Sequence, residues 1–317
     1  MAHLIKLEDY VSRYQYDMYR YPSQFSRLKR ERWDRLKIEW ENSKIKNKIT
    51  TEQPVIEEQK STIINAFSMI KKWYKGEEEE QDNEQDEVDR YRFRYTTLEE
   101  LKPIFLRELY DFQLNWASST LREISTLKKQ YYYDATLKWL LQSFPDNYFV
   151  LYYPTVSYPK APVQFDILLI GPTDIWCIVN LDGSENTIFH KFSDRYWLEV
   201  KAGEERKVVN PFLSLNRMST IVKRILADTD LDMNVKKVVY TKNGYIDVET
   251  PKNVATFLDQ RSIYEWNEKM KKNSSPIKSV QLKFSQCLLD VCQTNSRLRN
   301  NLEQSDEDLN EIDPEDY

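Results

Sequence analysis

Apolar side chains recur at helical intervals at both ends of this chain and gather into short β-branched and aromatic runs in its middle. Leu4, Leu7, Tyr10, Val11, Tyr14 and Met18 fall on one face of a 3.6-residue period, so the spacing predicts a helix from residue 4. Pro22 interrupts it. A basic helix then follows, with Arg27, Lys29, Arg30, Arg32, Arg35 and Lys37 set around Phe25, Trp33, Leu36 and Trp40. A third helix is predicted over 61–75, closed by Gly76. Further on, Thr97 and Glu100 form the sequence of a capping box. They open a helix that the pattern carries on into "LKKQYYYDATLKWLLQSF", with Leu137, Leu140 and Leu141 as its apolar stripe.

The period then changes. "NYFVLYYP" (147–154), "VQFDILLI" (163–170) and "DIWCIVNL" (174–181) read as three strands of a meander, and "YWLEVKA" (196–202) as a short fourth. "NPFLSLNRMSTIVKRILAD" reads as a helix entered through Asn210, with Pro211 in its first turn. Two strands (235–241 and 254–259) and a helix over 262–272 complete the run. Strands bracketed by helices predict an α/β domain of the α+β kind, with a mixed sheet flanked by helices and an added N-terminal helical region. The expected boundaries are a helical region at 1–76, an acidic linker at 77–92, an α/β domain with a leading helix at 93–275, a C-terminal helix at 276–303 and an acidic tail at 304–317.

Charge changes this picture. Residues 77–89 hold nine acids and no base, and 303–317 hold eight acids and no base. Setting those 17 aside leaves 34 of the 51 acids against 46 Lys and Arg, an excess of 12 positive charges in the rest of the chain. A basic body is compatible with nucleic-acid binding, with Arg27, Lys29, Arg30, Arg217, Lys223 and Arg224 as candidate phosphate contacts. The plainer reading spreads those cations over solvated helix faces. No apolar run approaches the roughly 20 residues of a membrane span. The N-terminus is charged too early for a secretory signal, and three cysteines without metal or redox spacing suggest reduced thiols, so a cytoplasmic, non-membrane protein is expected. With His3 and His190 as the only histidines, a histidine metal site or a Ser-His-Asp triad has little to draw on.

One stretch carries more specific chemistry. In "QFDILLIGPTDIWCIVNLDG" an Asp-bearing strand, a Gly-Pro turn and a second strand precede the Asn-Pro helix. Residues of about 130–270 thereby resemble the nuclease-related domain (NERD) family, which is similar in fold to restriction endonucleases. The resemblance implies a phosphodiesterase site in which Mg²⁺ is held between carboxylates on adjacent strands, with a nearby Lys stabilising developing charge. Matched residue by residue, Asp166 fills the first carboxylate position and Asp134 stands for an acid on the preceding helix. Val179 replaces the family's Glu, Leu181 its Lys, Ser214 its helix Gln, and Gln164 its strand-opening Glu. Val and Leu cannot ligate Mg²⁺ or contact phosphate. Three rescues remain open. Asp182 lies one residue out of register and points to the opposite face if the strand is regular. Glu199 and Lys201 form a displaced Glu-x-Lys whose plainer reading is an outward-facing charged pair. A partner chain is the third source of acids. The resemblance therefore implies a catalytically impaired relative that binds nucleic acid, or a protein partner through its helical flanks, with no cofactor. The alternatives are an active Mg²⁺-dependent nuclease built on Asp166 and a scaffold without a nucleic-acid role.

Overall fold

The computed structural model describes residues 1–49, 97–158, 161–248 and 254–299. The helix expected over 61–75, the acidic linker and the acidic tail lie outside them. The chain forms two compact units, Met1–Ser26 with Leu109–Tyr317, and Arg27–Glu108.

Three strands with apolar, buried centres or ends build the middle of the larger unit. β6 (Ile167–Ile170) is apolar and buried throughout, β7 (Asp174–Asn180) is buried from Ile175 to Val179, and β11 (Asn234–Tyr240) is buried over Val238–Tyr240. Such runs mark strands covered on both faces. They lie in a six-stranded mixed sheet of order β1-β3-β6-β7-β11-β13, with β1 His3–Leu7, β3 Phe149–Tyr152 and β13 Thr256–Leu258. The pairs β3–β6 and β6–β7 are antiparallel, whereas β1–β3, β7–β11 and β11–β13 are parallel. The Gly-Pro turn between β6 and β7 needs its glycine. A Cβ on Gly171 would come within 2.8 Å of the rings of both Trp176 and Tyr148.

Helix α2 (Leu98–Trp116) carries the expected capping box, with Glu100 Oε2 accepting from Thr97 N at 2.6 Å and Thr97 Oγ1 accepting from Glu100 N at 3.3 Å. It ends at Trp116 instead of running on. A short strand β2 (Glu123–Ile124) and a 3-10 turn (Lys129–Tyr132) separate it from α3 (Ala135–Ser143). Leu114, Leu137, Leu140 and Leu141 of these helices pack with Trp176, Ile178, Val238 and Tyr240 in one core. The opposite face is covered by α4 (Pro211–Asp228), whose Leu215, Met218 and Val222 are fully buried. α5 (Ile263–Lys271) and α6 (Ser279–Asp290) follow, and α6 stops well short of the expected 276–303 because the chain turns at Val291 and pairs Arg297–Leu298 (β14) with β2.

A second sheet has the order β10-β9-β8-β12, from β8 (Ile188–Lys191), β9 (Tyr196–Lys201), β10 (Glu204–Val209) and β12 (Tyr245–Asp247). A small ribbon joins β4 (Thr155–Ser157) to β5 (Pro162–Gln164). β8, β10 and β12 were not expected from the pattern.

The N-terminal expectation fails. His3–Leu7 is a strand whose five residues are all buried, so it lacks the solvent-facing side that an amphipathic helix would keep. The Leu4–Leu7 spacing matched a helical period only because both faces of the strand are covered. Gln113 of α2 fixes β1 in place, accepting from Leu4 N at 2.6 Å and donating to Ala2 O at 2.8 Å. Lys6, inside this strand, donates to Tyr10 O at 2.7 Å and Thr294 Oγ1 at 2.9 Å. Pro22 breaks no helix either. It sits in the first turn of α1 (Tyr21–Ile49), where a missing N–H costs nothing.

In the smaller unit, α1 packs on α2 through buried Leu36 and Leu101, with Trp33 against Phe105 at 5.0 Å. Arg32 bridges the two helices, its Nε and Nη2 reaching Glu108 at 2.8 and 3.1 Å. The helical partner on which the basic, aromatic helix packs its Trp33 and Trp40 rings is thus α2.

Candidate functional site

The expected strand 163–170 splits at Phe165-Asp166, with β5 in the small ribbon and β6 in the main sheet. Asp166 occupies that joint. Its carbonyl accepts from Tyr153 N at 2.7 Å, which ties the end of β3 to the start of β6. Its side chain is half-buried, and Oδ2 accepts from Ser214 Oγ of α4. Burial raises the Asp166 carboxyl above its ordinary value, while the Ser214 hydrogen bond and the Arg217 guanidinium oppose that rise.

Asp166 opens onto a cleft of about 650 Å³ that is also lined by Glu8, Tyr131, Tyr153, Val179, Asn180, Leu181, Asp182, Glu199, Arg206, Ser214 and Arg217. The strands explain this gathering. Glu8 follows the carboxyl end of β1, Tyr153 that of β3, and Val179 to Asp182 that of β7. The carboxyl ends of parallel strands are the usual ligand side of an open α/β sheet. The second sheet supplies the other wall through Glu199 and Arg206, which face each other across β9 and β10.

Most of the expected site positions therefore meet here. Val179 and Leu181 are buried in the wall, so the two places where a Glu and a Lys would work present methyl groups instead. Ser214 reaches Asp166 directly. Asp182 also lines the cleft, against the expectation of an opposite face. β7 ends at Asn180, and Gly183 N bonds back to Leu181 O at 2.9 Å, so strand alternation no longer applies. Asn180 Nδ2 donates to Asp182 at 2.7 Å. Glu199 is not an outward-facing edge residue. β9 lies between β8 and β10, and its Glu199 accepts from Arg206 Nε at 2.7 Å.

Asp134 and Lys201 stand outside the cleft. Asp134 is the N-cap of α3, accepting from Thr136 N and Leu137 N at 2.9 Å each, and its other oxygen accepts from Tyr152 Oη at 2.9 Å. The sequence before "ATLKWLL" was an N-cap signal. Lys201 is exposed at the β9–β10 turn. Of the candidate phosphate contacts, Arg217 lines the cleft, Lys223 and Arg224 are exposed on α4, and Arg27, Lys29 and Arg30 belong to the smaller unit, where Arg27 pairs with Glu31 at 3.4 Å.

Glu8, Tyr131 and Tyr153 were missed. Glu8 and Tyr153 have φ of 43° and 52°, conformations that side-chain-bearing residues adopt at a cost of about 1–2 kcal/mol. Strain of this kind gathers where a site needs a fixed geometry. Glu8 accepts from Tyr131 Oη and is held by Lys128 Nζ at 2.8 Å. Burial and the neighbouring Asp182, Asp166 and Asp134 push the Tyr153 hydroxyl up to about 12. No spacing in the sequence links residue 8 to residue 166.

Mg²⁺ would require carboxylates converging on one point. Glu8 and Asp166 are separated by β3, and two strand spacings amount to about 10 Å. Glu199 is engaged by Arg206 and Asp166 by Ser214. Among the described residues no group of three or more His, Cys, Asp or Glu is placed to hold a metal ion. The donor set does not fit a closed three-carboxylate site. The cysteines and histidines add nothing to it. Burial pushes the Cys177 and Cys292 thiols up to about 12. His3 is buried, bonded to Tyr14 Oη and Asp146 O, and His190 lies 3.7 Å from Asp247.

Fold and cleft together define a mixed α/β domain with a polar site at the carboxyl ends of its strands. Residues 129–242 match the family model of the nuclease-related domain. The chain is also 34% identical over 117 residues to a protein named RNA 2′,3′-cyclic phosphodiesterase from Geobacillus stearothermophilus. That match covers 36% of each chain, so this protein spans about a third of the relative's length. No solved structure matches the chain.

Proposed function

We propose that this protein is a nuclease-related protein impaired in Mg²⁺-dependent hydrolysis, which uses the retained cleft and the basic face of α4 to bind nucleic acid. The observation that carries the reading is the burial of Val179 and Leu181 in the cleft wall beside Asp166. A site built to bring metal, water and phosphodiester together needs charged groups at those places. Arg217, Lys223 and Arg224 are the phosphate contacts, and Asp166 is a remnant whose carboxylate now holds Ser214. The name of the Geobacillus relative makes RNA the first nucleic acid to try.

The test is incubation of labelled single- and double-stranded RNA and DNA with Mg²⁺ or Mn²⁺, beside an Asp166→Ala variant, with binding read in the same samples. Expected is salt-sensitive binding without cutting, equal in both proteins. Cutting that disappears in Asp166→Ala would overturn the proposal. It would favour the second reading, an active nuclease that joins Asp166 to Asp182 or Glu199, which rests on those two acids sharing its cleft. Neither cutting nor binding would point to a protein partner or a scaffold.

A further inference from the structure

We propose that the free edge of β10 pairs with the same strand of a second copy of this chain, making a two-fold dimer whose second sheet runs continuously through both subunits. β10 is the terminal strand of that sheet, and among the described residues nothing pairs with its outer edge. The register follows from geometry and charge.

β9 and β10 are joined by Ala202-Gly203, with φ of 51° and 86°. Two positive-φ residues between directly paired strands make a type I′ hairpin, and the closing pair Lys201–Glu204 exchanges both backbone bonds. Even-numbered residues of β10 therefore bond inward, which Asn210 N donating to Arg195 O at 3.0 Å confirms one pair beyond the strand. Glu205, Lys207 and Val209 aim their backbone groups outward, so an added antiparallel strand must set odd-numbered residues opposite odd-numbered ones.

Three symmetric registers satisfy that rule near the middle of the strand. One places Glu205 opposite Glu205, and another places Lys207 opposite Lys207. The third centres on Arg206 and sets Glu205 opposite the partner's Lys207, and Lys207 opposite the partner's Glu205. Opposite charges stabilise directly facing pairs and like charges destabilise them. The Lys207-centred register gains no opposite-charge pair, and the Glu205-centred one gains two Glu204–Arg206 pairs but leaves the facing Glu205 carboxylates uncompensated, whereas the third leaves only facing Arg206 guanidiniums, each already neutralised by its own Glu199. The two central Arg206 side chains approach on the other face of the sheet. There each guanidinium already has its own Glu199 carboxylate at 2.7 Å. Because Arg206 and Glu199 line the cleft, the dimer joins the two clefts along one sheet.

Sedimentation equilibrium of the full chain across micromolar concentrations tests this. Expected is a concentration-dependent dimer. Glu205→Lys or Lys207→Glu alone, each creating two like-charge pairs, lowers the association constant about tenfold. The double exchange Glu205→Lys with Lys207→Glu restores it. Both side chains are exposed, and circular dichroism checks that each variant folds. Arg206→Cys places two thiols at a Cα separation of about 4.5 Å, so it oxidises to a covalent dimer that the wild type does not form. A monomer at every concentration, single reversals without effect, or a double exchange that fails to restore the dimer would each overturn the pairing. The readout does not depend on whether the cleft binds nucleic acid.

Discussion

At the scale of single residues, Asp166 lines the cleft and accepts from Ser214, and its half-buried environment makes it testable without a substrate. Burial raises its carboxyl in the folded state, so the folded protein holds that proton more tightly than the unfolded chain. Stability therefore falls as pH rises from the ordinary Asp value of about 3.9 through the folded value, and at neutral pH the ionised group is a net cost. Asp166→Asn should raise the thermal midpoint at pH 7, with the gain disappearing below about pH 4. A midpoint that drops at pH 7 would mean that the Ser214 hydrogen bond outweighs the burial of charge. Asp134 is the contrasting case, because the loose family alignment made it a site acid and the structure makes it a cap. Asp134→Ala should cost about 1 kcal/mol of stability in a denaturant titration and leave nucleic-acid affinity unchanged. Glu8 shows where reading residues in order runs out, since its place at the cleft depends on β1 being inserted beside β3.

At the scale of elements, the sequence was legible wherever one local signal dominated. The capping box before α2, the Asn210-Pro211 entry to α4 and the buried runs of β6 and β7 all lie where expected. It failed where burial on both faces erased periodicity, as in β1, and where strands carried few apolar residues, as in β10, whose "EERKVV" is exposed almost throughout. Asn210 links an element to the site. Its side chain caps α4 by accepting from Phe212 N at 3.0 Å and donates to Asp194 O at 2.8 Å, so it fixes the helix start to the β8–β9 connection. The first turns of α4 carry Ser214 and Arg217 into the cleft. Asn210→Ala should destabilise by about 1–2 kcal/mol, at the upper end for a cap because a second hydrogen bond goes with it. It should also weaken nucleic-acid binding, whereas Thr97→Ala, which removes the capping box of α2 in the smaller unit, should lower stability alone.

At the scale of the molecule, the distribution of charge decides how a nucleic acid can be held. The cleft contains four carboxylates (Glu8, Asp166, Asp182 and Glu199) against two guanidiniums, and Arg206 is already engaged with Glu199. A polyanion therefore gains little by filling the whole cleft. It gains from exposed Arg217, from exposed Arg224 about two turns further along the same side of α4, and from exposed Lys223 next to Arg224. Each Lys or Arg that neutralises a phosphate of duplex DNA releases counterions and steepens the fall of log affinity with log salt by about 0.9. Replacing Arg217, Lys223 and Arg224 together by Ala should thus flatten the slope by up to about 2.7 for DNA, and by less for a single strand. Replacing Arg27, Lys29 and Arg30 in the smaller unit should leave the slope nearly unchanged, because none of the three lines the cleft or lies on α4. Equal flattening by both sets would show that phosphates track both units. A steep slope untouched by either set would move the binding surface off α4 and leave the cleft without its proposed ligand.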